Sequence, residues 1–158
     1  MSLETRVSIA EAEQLVKEAF LRNGVTEAVA MSVSTALVAA EAEGQVGHGF
    51  SRVKDYIAQV KSKKINVDAK VKIEHPKPTS ISIDADYGFA YPALDQAISE
   101  GALVAKEYGS AVVSIFNSHH CGALSIQVEK IANRGLIGLM MANTPKAIAP
   151  WGGKEPFF

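Results

Sequence analysis

A histidine flanked by glycines lies in the first third of the chain, within residues 47–52, which read Gly-His-Gly-Phe-Ser-Arg. The imidazole of His48 can exchange a proton near neutral pH, and the guanidinium of Arg52 can bind a carboxylate through two parallel hydrogen bonds. Glycine allows a backbone to approach a ligand closely. The segment is therefore a candidate site for proton transfer on a carboxylate ligand. The alternative is a flexible loop with an exposed histidine and a surface arginine.

A second polar cluster occupies residues 117–122, with the sequence Asn-Ser-His-His-Cys-Gly. Adjacent side chains of an extended chain point in opposite directions, so we expect that His119 and His120 do not share one metal ion. The same geometry disfavours a nucleophilic pairing of Cys121 with a histidine, and no spaced carboxylate or thiolate pair completes a zinc site. We predict one functional histidine and no metal site. A zinc or Cys-His hydrolase built on residues 119–121 is the weaker alternative.

A third cluster begins with Asn143 and Thr144 and continues through the Pro- and Gly-rich residues 149–153. A polar pair at the end of a strand could bind a ribose or a phosphate, and the alternative is an ordinary surface turn with Trp151 half buried. No predicted strand is followed by Gly-x-Gly-x-x-Gly, and no Walker phosphate loop occurs. A standard dinucleotide or nucleoside triphosphate site is therefore not indicated.

The first third of the chain is predicted to be helical. Ser8 and Glu11 have the spacing of a capping box, and the helix that they open has Leu15, Ala19 and Phe20 on one stripe before it stops at Gly24. Apolar residues at helical spacing predict a second helix over residues 26–43 and a third over residues 51–65.

Beyond residue 65 the pattern changes to alternation, which predicts strands around residues 71–73 and 81–83, separated by the breakers Pro76 and Pro78. Pro92 is expected at the first position of a helix that ends at Tyr108-Gly109.

The next elements predict a strand–helix–strand unit, with buried strands at residues 111–116 and 136–141 and a helix at 123–134. Such a crossover makes the two strands parallel. The loops at residues 117–122 and 143–153 would then open on the edge of the sheet where ligands bind in α/β proteins.

The charge of the chain excludes one class of partner. Sixteen Lys and Arg balance seventeen Asp and Glu, and the net charge is −1, so no basic face indicates nucleic-acid binding. The apolar stretches at 28–40 and 136–142 are shorter than the roughly 20 residues of a membrane-spanning helix, and residues 1–8 do not form a signal peptide. Cys121 is the only cysteine, which excludes an intrachain disulfide. We expect a cytoplasmic protein.

Taken together in their order and spacing, these segments resemble the malate/L-lactate dehydrogenase family of type II. That family includes ureidoglycolate, sulfolactate and diketogulonate dehydrogenases or reductases and Δ1-piperideine-2-carboxylate reductase. The matching segments are His48-Gly49 with Arg52, Asp84 with Gly88, residues 117–122 and residues 143–153. Gly47 departs from the family, in which many members carry serine before the histidine.

The resemblance implies an α/β fold that is not a Rossmann fold. A helical substrate-side domain (residues 1–68) would be followed by the first part of a mixed α/β cofactor-binding domain of the L-sulfolactate dehydrogenase type (residues 69–158). It also implies a homodimer that uses NAD or NADP to interconvert a 2-hydroxy acid and its 2-oxo acid.

The resemblance assigns roles to five residues. Either His48 or His120 would be the acid/base, and Arg52 would bind the substrate carboxylate. Asn143, Thr144 and His120 would contact the cofactor. No metal is implied.

Family chains are about twice as long as this one, so we expect a fragment, a truncated gene product or a partial chain. Cut within a sheet, residues 1–158 alone would bind cofactor poorly or associate through the exposed sheet. The alternative to an enzyme is a truncated, non-catalytic homologue that acts as a binding or assembly module.

Overall fold

The described part of the chain folds into three helices followed by a small sheet with two further helices. The computed structural model describes residues 6–143, 146 and 148–157. The elements in chain order are α1 (Ile9–Leu21), α2 (Glu27–Ala42), α3 (Ser51–Lys61), β1 (Lys72–Lys77), β2 (Ser80–Asp84), α4 (Ala90–Tyr108), β3 (Val112–Phe116) and α5 (Leu124–Ala132). None of the helices in this part of the chain has the length and apolar character that crossing a bilayer requires.

Helix α1 begins with the predicted capping box. The Ser8 hydroxyl accepts a hydrogen bond from the Glu11 amide, and the Glu11 carboxylate accepts one from the Ser8 amide. The predicted apolar stripe is wrong at Leu15, which is 60% exposed, because the buried stripe of α1 runs through Ala12, Val16 and Phe20.

Helix α2 is the centre of the helical part, because it packs against α1, α4 and α5. Its Val33 and Leu37 are fully buried in a cluster that also contains Phe20 of α1, Tyr56 of α3 and the first turns of α4. This packing continues across residue 68, the predicted domain boundary. The division into residues 1–68 and 69–158 stays a prediction.

The sheet has the strand order β1-β2-β3, in which β1 is antiparallel and β3 parallel to β2. Helix α4 connects the two parallel strands and covers one face of the sheet, where Ile81, Ile83, Val113 and Ile115 lie against it. The parallel crossover is therefore β2–α4–β3, one step earlier in the chain than predicted.

The predicted strand at residues 136–141 is wrong, because no part of it pairs with a strand in the described part of the chain. Ile137, Leu139 and Met141 are exposed, whereas Met140 packs against the helical core. Alternating apolar residues thus produce an extended segment, but a strand also needs a neighbouring edge to bond with. Strand β3 is likewise not buried on both faces, since Val112 and Phe116 are exposed.

Pro76 does not separate two strands as predicted but lies within β1. The pairing of β1 with β2 shifts register between Glu74 and Lys77. A proline, which has no amide hydrogen to donate, is tolerated at such an irregularity of an edge strand.

The central position of α2 predicts unequal effects of two substitutions in that helix. Leu37→Ala should lower the free energy of unfolding by about 2–5 kcal/mol, the usual cost of a core cavity. Met31→Ala, at an exposed position of α2, should change it by less than about 0.5 kcal/mol. Urea unfolding followed by circular dichroism measures both, and equal effects would contradict this packing.

Candidate active site

His48 lies in a tight turn, residues 46–50, between α2 and α3. The His48 amide donates to the carbonyl of Gln45 over 2.7 Å. The Ser51 hydroxyl donates to the Val46 carbonyl, and the Arg52 Nε donates to the Gly47 carbonyl, each over 2.6 Å. Side chains from the first turn of α3 therefore hold the turn that carries His48.

Gly49 lets this turn pack directly on α2. A Cβ at this position would lie 2.2 Å from Glu41 Oε2 and 2.9 Å from Glu41 Cα, whereas a Cβ at Gly47 would meet no atom within 4 Å. The Glu41 carboxylate also accepts the Phe50 amide over 2.8 Å at the start of α3, where a negative charge is favourable to the helix dipole. Packing on α2 thus accounts for Gly49.

The second loop of the site follows β3. The loop after β2 lies beside it, because these two strands are parallel: the Tyr87 amide donates to the Asn117 carbonyl over 2.7 Å, and the His119 amide donates to the Gly88 carbonyl over 3.2 Å. Asp84 accepts from the Asp86 amide and the Asn117 side chain. These two bonds hold the pKa of the Asp84 carboxyl below its usual value.

The two adjacent histidines face different neighbours. His119 Nε2 lies 2.8 Å from the Lys64 carbonyl, to which it donates. His120 instead places Nδ1 at 2.8 Å from the Tyr56 hydroxyl, and its ring stacks on His48 with centroids 5.5 Å apart and planes 16° apart. The structure therefore brings together His48 and His120 from segments separated by 72 residues, while His119 anchors the loop.

Cys121 packs partly buried against the helical core, and this burial raises the pKa of its thiol. A thiolate nucleophile is correspondingly disfavoured. Among residues 6–143, 146 and 148–157, no three His, Cys, Asp or Glu side chains come close enough to hold a metal ion.

Two buried tyrosines lie on the Nδ1 side of the His120 imidazole. The Tyr56 hydroxyl lies 3.0 Å from the Tyr91 hydroxyl, and the two residues are 2% and 1% exposed. Burial is the main cause that raises the pKa of each phenol. The amide of Gly122 donates to His120 Nδ1 over 3.3 Å, and a Cβ on Gly122 would lie only 2.6 Å from the Tyr91 hydroxyl.

Neither tyrosine was predicted from the sequence. One signal was available for Tyr56, because it follows Arg52 by four residues and so shares its face of α3. Tyr91 gave no comparable signal.

The electrostatics of the site favour neutral His120. Partial burial, the positive charge of Arg52 and the proximity of His48, in that order, hold the pKa of His120 below its usual 6.5. The neutral imidazole is therefore favoured over the imidazolium.

Arg52 has a guanidinium that is only partly engaged. Its Nε donates to Gly47, and its Nη1 lies 3.5 Å from an Asp55 carboxylate oxygen. Its Nη2 makes no hydrogen bond to a described residue. A ligand carboxylate would therefore meet the end of the guanidinium, Nη1 and Nη2, and not the side that includes Nε.

The third predicted cluster contributes no contact to this site in the described residues. Asn143 is exposed at the end of the extended segment and forms no hydrogen bond to another described residue. Thr144 lies outside the described residues. Trp151 is fully exposed, not half buried as the surface-turn alternative expected.

The sequence model of the malate/L-lactate dehydrogenase family matches residues 7–158. The chain belongs to this family. It is 38% identical over 152 residues to a (2R)-3-sulfolactate dehydrogenase (NADP(+)) from Chromohalobacter salexigens, a match that covers 96% of this chain and 45% of that protein. The chain thus spans about half the length of the curated relatives that it matches.

Solved structures of this malate/L-lactate dehydrogenase family share the fold. The Δ1-piperideine-2-carboxylate reductase of Pseudomonas syringae superposes with a TM-score of 0.80 at 30% identity, over 84% of this chain and 40% of that one. The sulfolactate dehydrogenase of Methanocaldococcus jannaschii gives a TM-score of 0.73 at 27% identity, over 78% and 36%. The predicted mixed α/β fold of the sulfolactate dehydrogenase type, distinct from the Rossmann fold, is confirmed.

The contact of Gly49 with Glu41 predicts that a single methyl group disturbs the turn. Gly49→Ala should lower the free energy of unfolding by about 1–3 kcal/mol, because overpacking against a backbone atom forces the turn away from α2. Gly47→Ala is the matched control and should be nearly neutral. Denaturant titration of both variants tests this, and a neutral Gly49→Ala would show that α2 and the turn are not in contact.

The charge of Arg52 predicts a change in the titration of His120. Arg52→Gln should raise the pKa of His120, because the imidazolium no longer lies near a fixed positive charge. Arg22→Gln, which removes an exposed charge from the C-cap of α1, should leave it unchanged. NMR titration of the imidazole resonances measures the shift, and an unchanged or lower value in Arg52→Gln would contradict the arrangement.

Proposed function

We propose that this chain carries the acid/base and substrate-binding part of an NAD(P)-dependent 2-hydroxy acid dehydrogenase. The observation that carries the proposal is the environment of His120. Its Nδ1 is bound to protein groups, its ring stacks on His48, and its Nε2 makes no hydrogen bond to any described residue. A titratable nitrogen held in this way is suited to exchange a proton with a bound substrate.

The surroundings of His120 suit a 2-oxo or 2-hydroxy acid held beside a nicotinamide cofactor, because its Nε2 makes no hydrogen bond to a described residue and the positive charge of Arg52 is near enough to lower its pKa. Asn143 and Thr144 are proposed to hold the cofactor, and Asn143, which is exposed and makes no hydrogen bond to another described residue, is compatible with this role. When bound, NAD or NADP would supply or accept the hydride at carbon 2 of the acid.

The residues of this chain would then transfer the proton and orient the substrate. In the reducing direction, Nε2 of protonated His120 would give its proton to the oxygen of a 2-oxo acid. In the oxidising direction, the unprotonated nitrogen would take the hydroxyl proton. The end of the Arg52 guanidinium would bind the carboxylate and orient carbon 2. His48 is proposed as the stacked neighbour of His120 and not as the proton carrier, since no tyrosine among the described residues bonds to its ring.

A second candidate is a non-catalytic binding or assembly module. The exposed apolar side chains of Val112 and Phe116 favour it, because they leave one face of β3 uncovered by the described residues. The homodimer and the cytoplasmic location implied above remain parts of the proposal.

Turnover by single-histidine variants tests whether the chain has this activity and whether His120 transfers the proton. The assay follows loss of reduced-nicotinamide absorbance with NADH or NADPH and a panel of 2-oxo acids and cyclic imino acids. His120→Ala should lower kcat by about 10²- to 10⁴-fold, the usual contribution of a general acid or base. His48→Ala should lower it less, and His75→Ala, an exposed histidine of β1, should not change it.

The other outcomes of this assay are equally informative. Loss of turnover in His48→Ala with normal turnover in His120→Ala would transfer the acid/base role to His48. A folded chain that neither binds a cofactor nor reduces any of these acids would favour the binding module.

A further inference from the structure

A line of hydrogen-bonding groups runs behind His120, from Tyr91 through Tyr56 to Nδ1 of the imidazole. We propose that Tyr56, supported by Tyr91, is a positioning residue that holds neutral His120 in the tautomer with its proton on Nε2. The inference extends the proposed function, because it states which nitrogen of the acid/base carries the proton before a substrate arrives.

The direction of these hydrogen bonds follows from the Gly122 amide. A backbone N–H can only donate, so its bond to Nδ1 requires a lone pair on that nitrogen. The Tyr56 hydroxyl, 2.8 Å from the same nitrogen, must then donate as well. Its oxygen is left to accept the hydrogen of Tyr91, 3.0 Å away. With Nδ1 unprotonated, the proton of the neutral ring is on Nε2.

The tyrosines position His120 and do not supply protons to it. Burial raises the pKa of both phenols well above neutrality. Loss of a proton from either would leave a buried tyrosinate, which is costly without a compensating charge.

The other ionisable groups around His120 do not oppose this assignment. Arg52 of α3 and His48 of the preceding turn both disfavour the imidazolium. Tyr56 and Tyr91 remain neutral, and the Cys121 thiol has a raised pKa. Asp55, on α3, is bound to Arg52.

The tautomer determines which form of a substrate the resting site accepts. An Nε2–H group donates, so it matches the carbonyl oxygen of a 2-oxo acid or the nitrogen of a cyclic imine, each of which accepts. A hydroxy acid that must give up its hydroxyl proton needs the opposite tautomer, in which the Tyr56 and Tyr91 hydroxyls are reversed and the bond from the Gly122 amide to Nδ1 is lost. The resting site is therefore prepared to bind the oxidised form of the substrate, and transfer of a proton to that substrate requires that Nδ1 first take up a second proton from solvent, which makes His120 the imidazolium.

Long-range ¹H–¹⁵N NMR on the ¹⁵N-histidine-labelled chain above pH 7.5 measures the tautomer directly, and a His120→Asn variant assigns the signals. In the unaltered chain we expect His120 with a protonated Nε2 and an unprotonated Nδ1. Tyr56→Phe should lower the ratio of the two tautomers by about fivefold, the effect of one net hydrogen bond of about 1 kcal/mol. Tyr87→Phe, at an exposed tyrosine, is the control and should leave the ratio unchanged.

Two results would overturn the inference: a predominant Nδ1–H form in the unaltered chain, or a folded Tyr56→Phe variant with an unchanged ratio. If Tyr56→Phe fails to fold, the inference is tested by the spectrum of the unaltered chain and by a Tyr91→Phe variant. Tyr91→Phe should also lower the ratio of the Nε2–H tautomer to the Nδ1–H tautomer. The measurement needs neither cofactor nor turnover. The tautomer assignment would thus stand or fall independently of the turnover assay that tests the proposed function.

Discussion

The hydroxyl of Tyr56 is the point on which the arrangement of the site depends. It is buried, it joins α3 to α4 through Tyr91, and it joins both helices to the loop after β3 through His120. A buried hydroxyl that loses a partner costs free energy, so the helical core and the carboxyl end of the sheet favour one relative placement. The imidazole lies where those two parts of the chain meet.

Close packing at two glycines makes this placement possible. Gly49 brings the His48 turn against α2, and Gly122 brings the His120 loop against the Tyr91 ring. Because neither position has space for a Cβ, each loop is held at van der Waals distance from a helix. The stacked imidazoles are thereby fixed by packing and backbone hydrogen bonds. Such fixed geometry is what an acid/base requires, since small displacements of a reacting group are costly to rate.

Much of this organisation could be predicted from the sequence, because local signals determine it. The Ser8 capping box set the start of α1, and the adjacency of His119 and His120 in an extended stretch predicted that their side chains would face apart. The strand predicted at residues 136–141 failed because alternation specifies extended backbone but not a pairing partner. Tyr56 was missed because its role depends on His120, 64 residues away in sequence.

The most direct test of this account is the position of a bound nicotinamide relative to the four histidines. Intermolecular nuclear Overhauser effects between the C4 hydrogens of NADH or NADPH and the histidine ring protons measure it in solution. We expect effects to His120, with weaker ones to His48 and none to His75 or His119. A bound cofactor whose C4 hydrogens contact neither His48 nor His120 would contradict the assignment of this site to hydride-transfer chemistry.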